Sequence, residues 1–416
     1  MSRARSPGRS SREPGSLRGN VDGDLGRIDR LRVVALGERR GDRRDRAHGN
    51  AAEELALAAG GLLHPGFGTT TNPAQETSPD GQAPEVLREF LYESAAFPQC
   101  HASTIVETQY GLLAAWFGGT SEGHSNVAIY AARRTEQGWS DPRQVADGWV
   151  ERDGRRYPCW NPVLFQPRGQ PLLLFYKVGP KPSSWWGMLK TSTDHGRTWS
   201  EAVRLPPGQM GPVRAKPIEL PDGTLLCPSS SEEAGWQVHL ETSRPPYRTW
   251  TRSSALNLST EWGAIQPTLL NHGRGEIQLL CRSRQRSILE AWSSDDGQTW
   301  SRLTRTQLPN PNAGIDAIRL DDRRFLLIYN HARQGRNQLN LALTNDGRRW
   351  LAAHVLENEP GEYSYPAAIL DRQGLVHLTY TWKRTRIRHV VVDPARLSGA
   401  PIENGQWPGW PPLDSL

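Results

Sequence analysis

Six residues able to move protons or anchor a polar ligand head six apolar runs at a near-constant interval. They are His101, Asn161, Lys216, Gln266, Asp316 and Tyr365, spaced by 60, 55, 50, 50 and 49 residues. An imidazole titrates near neutral pH and serves as general acid or base, and a phenol can donate a proton or attack as a nucleophile. Arg282, Arg284 (two residues further along the same strand face) and Arg336 carry planar guanidinium forks, which hold a carboxylate better than lysine does. Glu122 and His124 stand on the loop Gly118-Gly119-Thr120-Ser121-Glu122-Gly123-His124-Ser125-Asn126 and add two candidate proton donors. The set suits an anionic, oxygen-rich substrate. Its His and Asp residues lack ligand spacing and no glycine-rich phosphate loop occurs, so neither metal nor cofactor is expected.

These residues are far apart in sequence, and a second repeat says what would bring them together. Ser192-Thr193-Asp194-His195-Gly196-Arg197-Thr198-Trp199 returns as Ser293-Ser294-Asp295-Asp296-Gly297-Gln298-Thr299-Trp300. Worn copies end at Trp139, Trp250 and Trp350, which makes the tryptophan steps 60, 51, 50 and 50. Asp and Gly suit a tight turn, because a short carboxylate accepts from nearby backbone N–H groups and glycine takes φ > 0. The Thr and Trp are expected to begin the outgoing strand. A period near fifty residues marks a propeller or related array. Each apolar run leads through a Gly or Asp turn to a second strand, as in Gly111 to Phe117 and Gly275 to Cys281. A third strand runs to the Asp-Gly turn and a fourth leaves it.

Four strands in each of six units predict an all-β six-bladed propeller over residues 85–416. The last unit lacks its outer strand, and residues 86–99 are expected to supply it and close the ring. The first strand of every blade lines the axis, so the six leading residues should surround one mouth.

The Asp-box turns on six units resemble the sialidase (neuraminidase) superfamily over about residues 95–392. Tyr365-Pro366-Ala367-Ala368-Ile369 with Asp371-Arg372-Gln373-Gly374 is similar to the family's nucleophilic-tyrosine segment. Leu279-Leu280-Cys281-Arg282-Ser283 and Arg336-Asn337-Gln338-Leu339 are similar to its second and third arginine segments. The resemblance implies an exo-acting glycoside hydrolase for a sialic acid or similar carboxylated glycan. In it Tyr365 is the nucleophile, and Arg282 and Arg336 hold the carboxylate. The chain departs from the family at three positions. His101 stands where the first arginine belongs, the Gly118–Asn126 loop has no aspartate, and Gln266 falls near the expected glutamate. Glu122 or His124 would then supply the acid, and Glu232, Glu233 or Glu261 the missing base. Arg284, Lys216, Gln266, Asp316 and Asn161 are expected to contact substrate. The rival readings are a polysaccharide lyase or uronate-directed glycosidase using His101 and Tyr365 as a pair, and a carbohydrate-binding propeller without catalysis.

The formal charge of +6 arises entirely in residues 1–50, which hold 13 arginines against 7 acidic residues. The remaining 366 residues balance 37 basic against 37 acidic side chains, so a basic nucleic-acid face is not expected. Residues 1–84 read as a disordered Arg/Gly/Ser/Pro-rich tail or a start placed too far upstream, with a possible strand at 32–36 and helix at 51–63 that have nothing to pack against. No secretory core or membrane-length apolar run is seen, so a cytoplasmic monomer with a carbohydrate partner is expected. Cys100, Cys159, Cys227 and Cys281 are scattered one per unit without metal or redox spacing and read as buried free thiols.

Overall fold

Short strands with two apolar faces need a sheet on either side, and a ring of sheets supplies one to every member. The computed structural model describes residues 83–320 and 323–413. The strand and helix read at 32–36 and 51–63, and nearly all of the tail, lie outside the described residues. Six antiparallel sheets form the blades. Their inner strands are Gln99–Thr108, Cys159–Phe165, Ile218–Glu219, Ala264–Gly273, Asp316–Arg319 and Tyr363–Leu370.

The core lies between neighbouring blades. Leu172–Val178, the second strand of the second blade, is buried at every position. Leu113 and Phe117 of the first blade pack with Leu164, Leu174 and Tyr176 of the second. Between the fifth and sixth blades, Leu326 and Leu341 meet Leu378 and Val390. Each such side chain contributes about 1.5–3 kcal/mol on burial.

The ring closes as expected. Glu85–Phe90 pairs antiparallel with Arg386–Val392, placing Leu87 against Val391 and Phe90 against Arg388. Arg88 secures the seam by bonding Glu85 and reaching Glu357 of the fifth blade at 3.1 Å.

The Asp-box turns work as their residue types require. Asp194 Oδ1 accepts from the backbone N–H groups of Arg197 at 3.0 Å and Thr198 at 2.8 Å, and Asp295 Oδ1 accepts from Thr299 N at 2.8 Å. Gly196 has φ 87°, and a Cβ there would lie 2.5 Å from Leu113 of the neighbouring blade. The outgoing strands, however, do not start at the tryptophans. They begin at Val203 and Thr304. The box is wider than a two-residue hairpin and keeps its Trp within the turn, where Trp300 Nε1 donates back to Gly297 O at 2.9 Å.

A recurring bulge positions the mouth. Four inner strands shift register near their N-terminal ends: between His101 and Thr104, across from Phe175 to Lys177, between Ile265 and Thr268, and between Ser364 and Ala367. A residue in the left-handed region sits in each: Ala102 (φ 56°), Asn161 (33°), Gln266 (53°) and Tyr365 (54°). Such a conformation costs a non-glycine residue about 1–2 kcal/mol, and strain of this kind gathers at functional sites. Asn161, Gln266 and Tyr365 are each followed by proline, which lacks a ladder N–H and is tolerated in strands at bulges. The register also corrects the ladder read from sequence. Ala102, not His101, is the counterpart of Asn161, Gln266 and Tyr365, and the histidine precedes the bulge by one residue.

All four cysteines are free and buried, and burial pushes the Cys100 thiol up to about 12. No described helix is long and apolar enough to cross a membrane.

Candidate active site

Tyr365 enters from the bulge of the sixth inner strand, only 8 % exposed. A Cβ on Gly314 would lie 3.2 Å from its ring, so that glycine makes room for the phenol. Arg282 Nη1 donates to the Tyr365 hydroxyl at 2.6 Å. The guanidinium carbons of Arg214, Arg282 and Arg336 stand 5.2, 5.7 and 5.8 Å from the ring centroid. The phenol is thus fixed in place by one charge-assisted hydrogen bond and three guanidinium groups packed around its ring.

Two of these guanidiniums share one organiser. Asn312 accepts from Arg282 Nε through its side chain at 2.8 Å and from Arg336 Nη2 through its backbone carbonyl at 3.4 Å. Gln266 accepts from Arg282 Nη1 at 3.0 Å. It therefore positions an arginine instead of accepting a proton.

A fourth arginine comes from an element not read from sequence. Glu362 Oε1 accepts from Arg336 Nη1 at 3.1 Å, from Arg384 Nε at 2.8 Å and from Ser364 Oγ at 3.0 Å. Burial works against the charge on Glu362, but Arg384 and Arg336 outweigh it and hold its carboxyl below the usual range. Arg384, in the turn after Trp382, also donates to Glu122 at 2.5 Å. Burial opposes its charge too, and Glu122 and Glu362 more than compensate.

His101 lies against the tyrosine, with ring centroids 4.1 Å apart. Its Nδ1 shares a hydrogen bond with Thr381 Oγ1 at 2.8 Å, and the same hydroxyl accepts from Ala102 N at 3.2 Å, pinning the bulge. Burial, followed by the fields of Arg384, Arg336, Arg214 and Arg282, holds this histidine well below its usual pKa. It is therefore neutral at pH 7.

The two loop candidates part company. Glu122 reaches the site only through Arg384, while His124 bonds Asn126 of its own exposed loop at 2.7 Å. No hydrogen bond or ion pair joins His124 to Tyr365 or the arginines among the described residues. Of the three glutamates expected to supply a base, Glu232 feels the charges of Arg282 and Arg284. Burial lifts its carboxyl above the ordinary value, against the pull of Arg282, a hydrogen bond with Trp236 and the pull of Arg284. Trp236 has the guanidinium carbon of Arg282 at 5.6 Å and that of Arg284 at 4.2 Å from its ring centroid.

The remaining expected contacts lie elsewhere. Lys216 Nζ donates to Ala368 O at 3.2 Å, and Asp316 Oδ2 accepts from Ala368 N at 2.9 Å, three residues along the strand from Tyr365. Both tie inner strands together beneath the tyrosine. The expectation that six leading residues share one mouth is thereby corrected, because Lys216 and Asp316 reach the sixth inner strand three residues further along the axis than Tyr365. Arg214, fully buried, crosses to Pro366 O at the same level. Asn161 is buried at its bulge, and among the described residues no hydrogen bond joins its side chain to the tyrosine group. Trp116 is core, stacked on Tyr92.

Arg214, Asn312, Glu362, Arg384, Thr381 and Trp236 were not legible as site residues. One signal was available: Arg214 and Lys216 stand two apart before a proline at an inner-strand start, so they share a face.

A family profile described as a BNR repeat-like domain matches residues 111–378. No curated protein matches significantly by sequence. Among solved structures, a Dyadobacter fermentans protein of unknown function superposes with a TM-score of 0.63 at 16% identity, covering 74% of this chain and 98% of that one. The NanB sialidase of Streptococcus pneumoniae gives 0.61 at 12% identity, covering 76% and 71%. The Trypanosoma rangeli sialidase gives 0.57 at 16% identity, covering 72% of this chain and 56% of that one. At these identities the likeness is one of fold.

Proposed function

Because this chain belongs to the BNR repeat-like domain family and seats a guanidinium-bound tyrosine at its axis, we propose that it is an exo-acting glycoside hydrolase for an acidic sugar, a sialic acid or a similarly carboxylated residue. The observation that carries this reading is the 2.6 Å bond from Arg282 to the Tyr365 hydroxyl beneath a cluster of arginines. Arg282 and Arg336 take the substrate carboxylate in forked hydrogen bonds, and Arg384 adds a third cation beside them. A carboxylate nucleophile would meet like charge at such a sugar; a neutral phenol does not. Tyr365 gives its phenolic proton to a carboxylate base as its oxygen bonds the anomeric carbon, Arg282 stabilises the charge on that oxygen, and the glycosidic oxygen leaves with a proton taken from solvent. Water then displaces the tyrosine. Glu232, which feels the charge of Arg282 and whose carboxyl is raised by burial, is the carboxyl partner assigned to the tyrosine.

A specific observation supports a second reading. His101, neutral and packed at a tilt against Tyr365, makes a base and acid pair with it, as a lyase on a uronate-containing polymer requires. Fluorogenic sialosides and uronides, assayed beside polyuronates monitored for the ultraviolet absorbance of an unsaturated product, separate the two. Turnover of a carboxylated glycoside without that absorbance is expected, with Tyr365→Phe abolishing turnover and retaining binding. Full turnover by Tyr365→Phe would eliminate the nucleophile. Binding of acidic sugars with no turnover of any kind would leave a carbohydrate-binding propeller.

A further inference from the structure

Arg284 differs from the site's other exposed-side arginines in having no acid. Arg336 and Arg384 are both ion-paired to Glu362, whereas no carboxylate lies within ion-pair distance of Arg284 among the described residues. Yet Arg284 is not loose. Its backbone N–H donates to Gly263 O at 2.9 Å, and a Cβ on Gly263 would lie 2.9 Å from its Cδ, so the glycine leaves room for the arginine stem. At the other end its guanidinium lies over Trp236, 4.2 Å from the centroid. The same indole has Arg282, the tyrosine's partner, at 5.6 Å. One ring therefore joins a buried cation committed to Tyr365 with an exposed cation committed to nothing, and Glu232 lies in the fields of both.

A cation packed into place at both ends and left unpaired is pre-organised for an anion that arrives with the ligand. An indole edge beside it offers an apolar face to a sugar ring. We propose that Trp236 and Arg284 form a second subsite, which binds an anionic group, sulfate ester or carboxylate, on the sugar next to the one held at Tyr365. This rests on the reading that Tyr365 and Arg282 hold an acidic sugar. It adds that the ligand is a glycan acidic on adjacent residues.

The test is equilibrium binding, measured by calorimetry on the Tyr365→Phe protein so that no chemistry intervenes. The probes are a carboxylated sugar linked to a neutral sugar, to a sulfated sugar and to a uronic acid. The doubly anionic probes should bind about fivefold tighter than the neutral one, as for one ion pair at an exposed position. Arg284→Gln should remove that preference and Arg284→Lys retain part of it, with the neutral probe bound equally by all three proteins. The preference should shrink as salt is raised. Equal binding of all probes, or a preference unchanged in Arg284→Gln, overturns the subsite. Tighter binding by one anionic probe alone identifies sulfate or carboxylate as the recognised group. Turnover is read separately in the protein with Tyr365 intact: a subsite without turnover removes the hydrolase reading, and turnover without the preference removes the subsite.

Discussion

Glutamate 362 should decide whether the arginines form a clamp, and Glu362→Gln tests this with little change of shape. The carboxylate oxygen accepts from Arg336, Arg384 and Ser364, and the three charged side chains are 24–30% exposed. Buried charge-assisted bonds contribute about 1.5–3 kcal/mol, and this exposure reduces each of the two ion pairs to about 1 kcal/mol. Losing both costs about 2 kcal/mol. With about 2 cal/mol/K of unfolding entropy per residue over a domain of this size, Tm falls by about 3 °C in differential scanning calorimetry. The freed arginines also lose their fixed separation, and kcat/KM for an acidic glycoside should drop by about 10- to 100-fold. The pH dependence carries the same signature. A carboxyl whose pKa is depressed by folding stabilises the native state above its ordinary value of 4.5, and that contribution disappears as pH falls through the folded pKa. Wild type should show this loss on acidification and Glu362→Gln should not. A variant with unchanged Tm and unchanged kcat/KM would refute the organising role.

Three further outcomes follow from the same contacts. His101 is held neutral in the fold while the unfolded chain binds a proton below about pH 6.5, so stability should decline as pH falls from there towards the folded pKa; His101→Gln should lessen that slope in denaturant titrations at successive pH values. Arg88→Ala leaves the buried Glu357 without its cation at the ring seam, and should cost about 2–3 kcal/mol in urea unfolding with no change in substrate KM. Asp295→Ala removes the acceptor that organises a turn at the end of the blade away from the mouth, so it should lower Tm while leaving kcat/KM unaltered.

Much of the architecture is written in local signals, because each blade repeats the same chemistry at a fixed interval. The Asp-Gly turns, the apolar runs and the missing outer strand of the last unit together specify six blades and a closing N-terminal strand. The isolated cysteines also read correctly as buried free thiols. Tyr365, Arg282 and Arg336 were legible through the segments around them, and the structure draws all three together. Local pattern does not carry depth along the axis, however. A bulge moves Ala102 into the place assigned to His101, and Lys216 and Asp316 bind backbone three residues below the tyrosine. Nor does it carry partners from distant blades: Glu362, Arg384 and Asn312 have no motif, and only the ring sets them around one phenol. The sequence by itself determined the number of blades, since turn and strand preferences act between near neighbours. Which side chains face one another was decided only by the tertiary structure, because that depends on register and on the meeting of strands hundreds of residues apart.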